Sequence, residues 1–172
     1  MERLMEKKLR KLQSHLAQAG MGVMLFAAWR VISINLYLGF GMIPVEMIRE
    51  AATEFGLNEK FFLIFMVALV AGVLLWQLSI RMYIGLSATA EGKGKNKGWL
   101  YLAVTAVVMA AEIQLAWEAF DIDRILAGEV LEIYAIVSTI ISFIMELASA
   151  YVLLELLISG ICVKLLRKKM KA

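Results

Sequence analysis

One cysteine, one histidine and one proline occur among 172 residues. A single Cys (Cys162) excludes an internal disulfide and a cysteine-based zinc cluster, and a single His (His15) leaves little for imidazole ligation of a metal. No metal site and no cofactor is therefore expected. Charge is also scarce, at 19% of residues against roughly 25% in an average globular chain. Hydrophobic residues, by contrast, reach 62%, well above the ~45–50% of soluble domains. A chain this small has too little interior to hide so much apolar side chain, and a disordered chain would be apolar-poor.

The apolar residues gather into four runs: about 20–43, ending at Pro44, then 61–80, 99–120 and 133–163. A helix rises about 1.5 Å per residue, so ~20 residues cross the ~30 Å hydrocarbon layer of a bilayer. Each run meets that length, and the fourth exceeds it and must tilt or project. Helices are required, because backbone polar groups in lipid must be satisfied within the segment. The expected fold is all-α: a polytopic membrane protein of four transmembrane helices (20–163), preceded by an amphipathic interfacial helix (1–19) and followed by a basic tail (164–172).

Orientation follows from the cations. Arg3, Lys7, Lys8, Arg10 and Lys11 precede the first run, Arg81, Lys93, Lys95 and Lys97 lie between the second and third, and Lys164, Arg167, Lys168, Lys169 and Lys171 end the chain. These fourteen fall on one side, against Arg49, Lys60 and Arg124 on the other, with Arg30 inside a run. Positive residues stay in the cytoplasm, so the expectation is a plasma (inner) membrane protein with both termini cytoplasmic, inserted in one orientation only. The net charge of +3 follows that topology and calls for no nucleic-acid partner. Glu46, Glu50, Glu54, Glu59, Asp121, Asp123, Glu129 and Glu132 fall on the outer side, where they read as a solvated face, with attraction of cations as the alternative.

The first nineteen residues do not read as a signal peptide, since Ala17-Gln18-Ala19 precedes the apolar run instead of following it. Met5, Leu9, Leu12 and Leu16 form one stripe at helical spacing, with Arg3, Lys7, Lys8, Arg10 and Lys11 around it. That pattern suits a helix lying on the inner leaflet with its cations against lipid headgroups; the alternative is a helical extension of the first span. Between the first two runs, Pro44 suits a first helical turn, Val45, Ile48, Ala52 and Phe55 share a face, Gly56 can end the helix and Asn58 can cap the next. The segment 85–98 is glycine-rich and basic, but it lacks a Ser or Thr after any Gly-Lys pair and follows no strand, so a phosphate-binding loop is not indicated. It reads as a flexible linker touching lipid phosphates. The plan of basic segment, span, acidic loop and returning span occurs twice, without a residue-level repeat.

Ionisable groups inside the runs demand explanation, because a charge at the bilayer centre costs at least ~2.5–3.5 kcal/mol. At 1.5 Å per residue Arg30 lies about 15 Å into the layer from its inner edge, Asn35 about 22 Å, Glu112 about 20 Å, Glu146 about 25 Å and Glu155 about 12 Å. Depth thus lets Arg30 meet Glu112 or Glu155, and Glu146 less readily. In the third run Tyr101, Thr105, Glu112 and Ala116 share a face, and Ala103, Ala106, Ala110 and Gln114 another. In the fourth, Thr139, Ser142, Glu146, Ser149 and Ala150 form a polar, small-residue stripe, with Glu155 pointing away.

Two readings compete. In one, Arg30 pairs with a Glu while small and hydroxyl residues let helices approach. In the other, the surplus carboxylates line a wet path for protons or cations. The leading expectation is transport of an ion, proton or small solute through Glu112 and Glu146, with a homo-oligomer supplying space that four helices alone do not enclose. The alternative is a non-catalytic accessory, assembly or protective subunit packed on a larger membrane protein. A lipid-headgroup enzyme comes third: no catalytic residue is identified, and Glu118, Asp121 and Asp123 form its only acid cluster.

Overall fold

The computed structural model describes residues 2–39, 45–56, 58–119 and 133–171. Among these every regular element is a helix: α1 (Glu2–Gly39), α2 (Val45–Glu54), α3 (Glu59–Gly92), α4 (Leu100–Ala119) and α5 (Ile133–Lys171). Four of them, all but α2, are long and apolar enough to cross a membrane. The segments 40–44 and 120–132, with Pro44, Asp121, Asp123, Arg124, Glu129 and Glu132, lie outside the described residues, as does the side chain of Glu118.

Two helix boundaries differ from those expected. The arm 1–19 and the first span are one continuous helix, because Gly20 and Gly22 are tolerated inside it and no proline interrupts it. Met5, Leu9 and Leu12 are partly covered and Leu16 is buried, with Arg3, Lys7, Lys8, Arg10 and Lys11 exposed around them. The second difference is in α3, which does not stop near Ile80 but continues through half of the supposed linker to Gly92. There Ile84, Ser87, Ala88 and Glu91, at i, i+3, i+4 and i+7, are buried, so packing holds a segment whose composition alone suggested a loop.

The chain divides into two compact units, Met1–Val23 with Tyr83–Ala172, and Met24–Met82. In the larger unit α1 lies on the last turns of α3 with almost no side chain between them. A Cβ on Gly20 would come within 2.7 Å of the Gly85 carbonyl, and one on Gly92 within 2.6 Å of the Gln13 carbonyl. The two contacts run in opposite senses along the chain, so α1 and α3 are antiparallel here and approach by means of small residues. α1 also meets α5, where Gly22 faces Val152. α4 and α5 pack along their lengths. Gly160 sits against Leu102 and the Tyr101 hydroxyl, and Lys164 lies over the rings of Trp99 and Tyr101, which fixes an antiparallel register. These contacts bring Arg3–Lys11, the 93–98 connection and the end of α5 to the same end of the unit.

In the smaller unit α2 ends as expected at Gly56, whose φ is +62° and whose N–H donates to the Thr53 carbonyl. Asn58 caps α3, its side-chain oxygen accepting from the Lys60 N–H at 3.0 Å. Phe55 stacks on Phe62 at 6.2 Å between ring centroids.

Candidate functional site

The seam between α4 and α5 carries the strongest concentration of buried polar groups. On α4 the buried positions Tyr101, Thr105, Glu112 and Ala116 recur at helical spacing, while Ala103, Ala110 and Gln114 are exposed. Thr105 satisfies its hydroxyl locally, donating to the Tyr101 carbonyl at 2.7 Å. Glu112 is only 2% exposed, and it lies near the middle of an apolar helix.

The register set by Leu102 and Gly160 determines what Glu112 faces. Ten residues along α4 correspond to ten back along α5, so Glu112 comes level with Ser149 and Ala150, both buried. Glu146 comes level with Ala116, one turn or ~6 Å farther along. Glu146 is half-buried, with its Oε2 fully enclosed. Of the α5 stripe, Glu146 and Ser149 thus face the seam and Ser142 is exposed. The side chains of Thr139 and Asn35 lie outside the described residues.

Arg30 and Glu155 each make a polar contact within their own unit. Arg30 belongs to the smaller unit, where its Nη1 donates to the Gln77 Oε1 at 3.4 Å. Glu155 turns away from the seam, as its position nine residues beyond Glu146 predicts, and its Oε1 lies 3.7 Å from His15 Nδ1, both side chains about half-exposed.

A second buried charge cluster was not foreseen. Glu91, in the last turn of α3, is 0% exposed and holds two cations from α5: Lys164 Nζ at 3.1 Å and Arg167 Nη1 at 3.3 Å. Lys164 lies 5.3 Å from the Trp99 ring centroid and 5.5 Å from that of Tyr101, and it also donates to the Lys97 carbonyl. Arg167 donates to the carbonyls of Glu91 and Lys95 at 3.2 and 3.3 Å. The Glu91 carbonyl lies in the last turn of α3, where the helix dipole favours positive charge. Lys164 and Arg167 had been counted only as topological cations. The available signal was helical spacing: Ile84, Ala88 and Glu91 continue one face of α3, and Glu91 is the one acid in a stretch otherwise basic from Arg81 to Lys97. Arg81 too is buried.

Chemically, the two clusters differ. Glu91 is neutralised by cations and braced by aromatic rings, an arrangement that fixes structure. Glu112, Glu146 and Ser149 bring two carboxyls and a hydroxyl into one helix–helix seam, an arrangement able to exchange protons or ligate a cation through oxygen. Among the described residues no group of three His, Cys, Asp or Glu side chains is placed to hold a metal ion. Comparison with known proteins yields no match to a family model, to a curated protein or to a solved structure.

Proposed function

We propose that the chain crosses a membrane four times through α1, α3, α4 and α5, with its basic end in the cytoplasm, and that the α4–α5 seam carries a proton or small cation. The observation that carries this reading is Glu112, a carboxyl 2% exposed in an apolar helix, which the Leu102–Gly160 register sets level with buried Ser149 and one turn from Glu146. A pair of carboxyls in one seam offers one group to hold a proton and one to receive it. A proton passing from one carboxyl to the other moves the negative charge the opposite way and conserves the total. The Ser149 hydroxyl can accept from one partner and donate to the other. Arg30 is proposed as a fixed counter-charge within the first span, and Arg3, Lys7, Lys8, Arg10 and Lys11 as contacts for anionic headgroups of the plasma-membrane inner leaflet. A homo-oligomer supplies the enclosed space.

Flux in reconstituted vesicles tests the reading. Proton or monovalent-cation uptake driven by an imposed gradient is expected in the wild type and lost in Glu112→Gln/Glu146→Gln. Unchanged flux in that variant removes the mechanism.

The accessory-subunit alternative is favoured by one observation: Ile64, Phe65, Leu75 and Trp76 of α3 are all exposed, a broad apolar face fit for another helix as well as for lipid. Co-purification of one stoichiometric membrane partner, lost on Arg30→Ala, would favour it over transport.

A further inference from the structure

Five exposed lysines from two separate segments meet at the end of the larger unit: Lys93, Lys95 and Lys97 after α3, and Lys168 and Lys169 in the last turns of α5. The contacts that join the segments are made by backbone and buried charge. Arg167 binds the Lys95 carbonyl and Lys164 the Lys97 carbonyl, while both cations rest on Glu91. The exit from α3 is fixed as well. Gly94 takes φ +92°, its N–H donates to Glu91 and the Lys95 N–H to Ala90, the paired bonds of a Schellman cap. The connection expected to be a flexible linker is therefore a shaped segment bolted to α5.

That arrangement holds like charges close together. Glu91 is one negative charge against the two cations it binds, so it has none over for the five lysines, and they are free to attract anions from outside the chain. The rim of the patch identifies their kind. Trp99, Leu100 and Leu165 border the lysines and are exposed, at 57%, 66% and 52%. A phosphate flanked by acyl chains matches cations flanked by aromatic and aliphatic surface, with the indole at headgroup level. A nucleic acid or a free anion would leave those apolar groups in water.

We propose that the 93–98 connection and the end of α5 form one preorganised site for phosphate-bearing headgroups of anionic phospholipids, with Glu91 as its structural anchor. The site rests on the four-span reading but not on transport. The purified full chain in non-ionic micelles, doped with phosphatidylglycerol, with phosphatidylcholine, or with inorganic pyrophosphate alone, provides the test, with lipid retention read by mass spectrometry. Phosphatidylglycerol is expected to be retained and phosphatidylcholine not. Each lysine near the surface contributes about fivefold in affinity, so Lys93→Gln/Lys95→Gln/Lys97→Gln should lose about a hundredfold and Lys168→Gln/Lys169→Gln about twenty-five-fold if the contributions add. Glu91→Gln should weaken retention without removing a lysine, by uncoupling the two segments; should it fail to fold, the lysine variants, all on exposed side chains, decide. Unchanged retention in both lysine variants overturns the proposal. So does pyrophosphate that binds as tightly as the lipid and displaces it, which would make the ligand a free phosphate. Glu112→Gln/Glu146→Gln should leave retention intact, so a failure here is separable from a failure of the transport reading.

Discussion

Replacing Glu91 by glutamine preserves the shape of a fully buried side chain and removes its charge. Lys164 and Arg167 would then keep their positions with side chains 7% and 18% exposed and no carboxylate between them. Breaking a buried ion pair from one side typically costs about 3–5 kcal/mol, because the remaining charge stays desolvated. The amide oxygen can still accept one hydrogen bond, and Trp99 and Tyr101 still face Lys164, so about 3 kcal/mol, the lower end of that range, is expected. Lys164→Met keeps the stem against both rings while losing the cation. The two changes should therefore couple by at least about 1 kcal/mol in a double-mutant cycle. A stronger inference concerns the whole cluster. Glu91→Leu/Lys164→Met/Arg167→Met removes every desolvated charge and should be less damaging than Glu91→Gln alone. Unfolding in mixed micelles with rising SDS, followed by tryptophan fluorescence, gives these free energies. Two single variants each costing under about 0.5 kcal/mol, the usual additivity error, and summing in the double, would refute the claim that this cluster anchors the larger unit.

Two further outcomes follow from packing and surface chemistry. Gly92→Ala places a methyl 2.6–2.8 Å from α1 backbone and the Ala17 Cβ, none of which can swing away, and should destabilise by about 1–3 kcal/mol in the same unfolding assay. Gly72→Ala, with nothing within 4 Å, should be stabilising by up to about 1 kcal/mol through helix propensity. Arg49→Ala, despite a 2.7 Å contact with Glu59, removes an ion pair whose side chains are 64% and 52% exposed. It should shift stability by no more than ~1 kcal/mol.

Residue spacing made the seam visible before its geometry. Tyr101, Thr105, Glu112 and Ala116 share a face at 100° per residue, and that face is the buried one; Ser149 joins from α5 by the same rule. The N-cap at Asn58 and the stop at Gly56 were legible because each depends on one side chain or one missing Cβ. Glu91 was not, because its significance comes from two cations more than seventy residues away, and sequence spacing carries no information on that pairing. The extension of α3 was hidden for a related reason. Gly85, Gly92 and the lysines suggest a loop by composition, whereas Gly92, with Gly20 on α1, leaves room for the two helix backbones to approach. Depth carries less information than facing: it gives no account of Glu155 meeting His15, 3.7 Å away.

Impermeant thiol labelling of single-cysteine variants in a Cys162→Ser background tests the topology on which the rest depends. Glu54→Cys and Lys60→Cys should react in intact cells, whereas Glu6→Cys, Lys95→Cys and Lys169→Cys should react only after permeabilisation. Labelling of the last three from outside, or recovery of the chain in the soluble fraction without detergent, would contradict a four-span protein with its basic end in the cytoplasm.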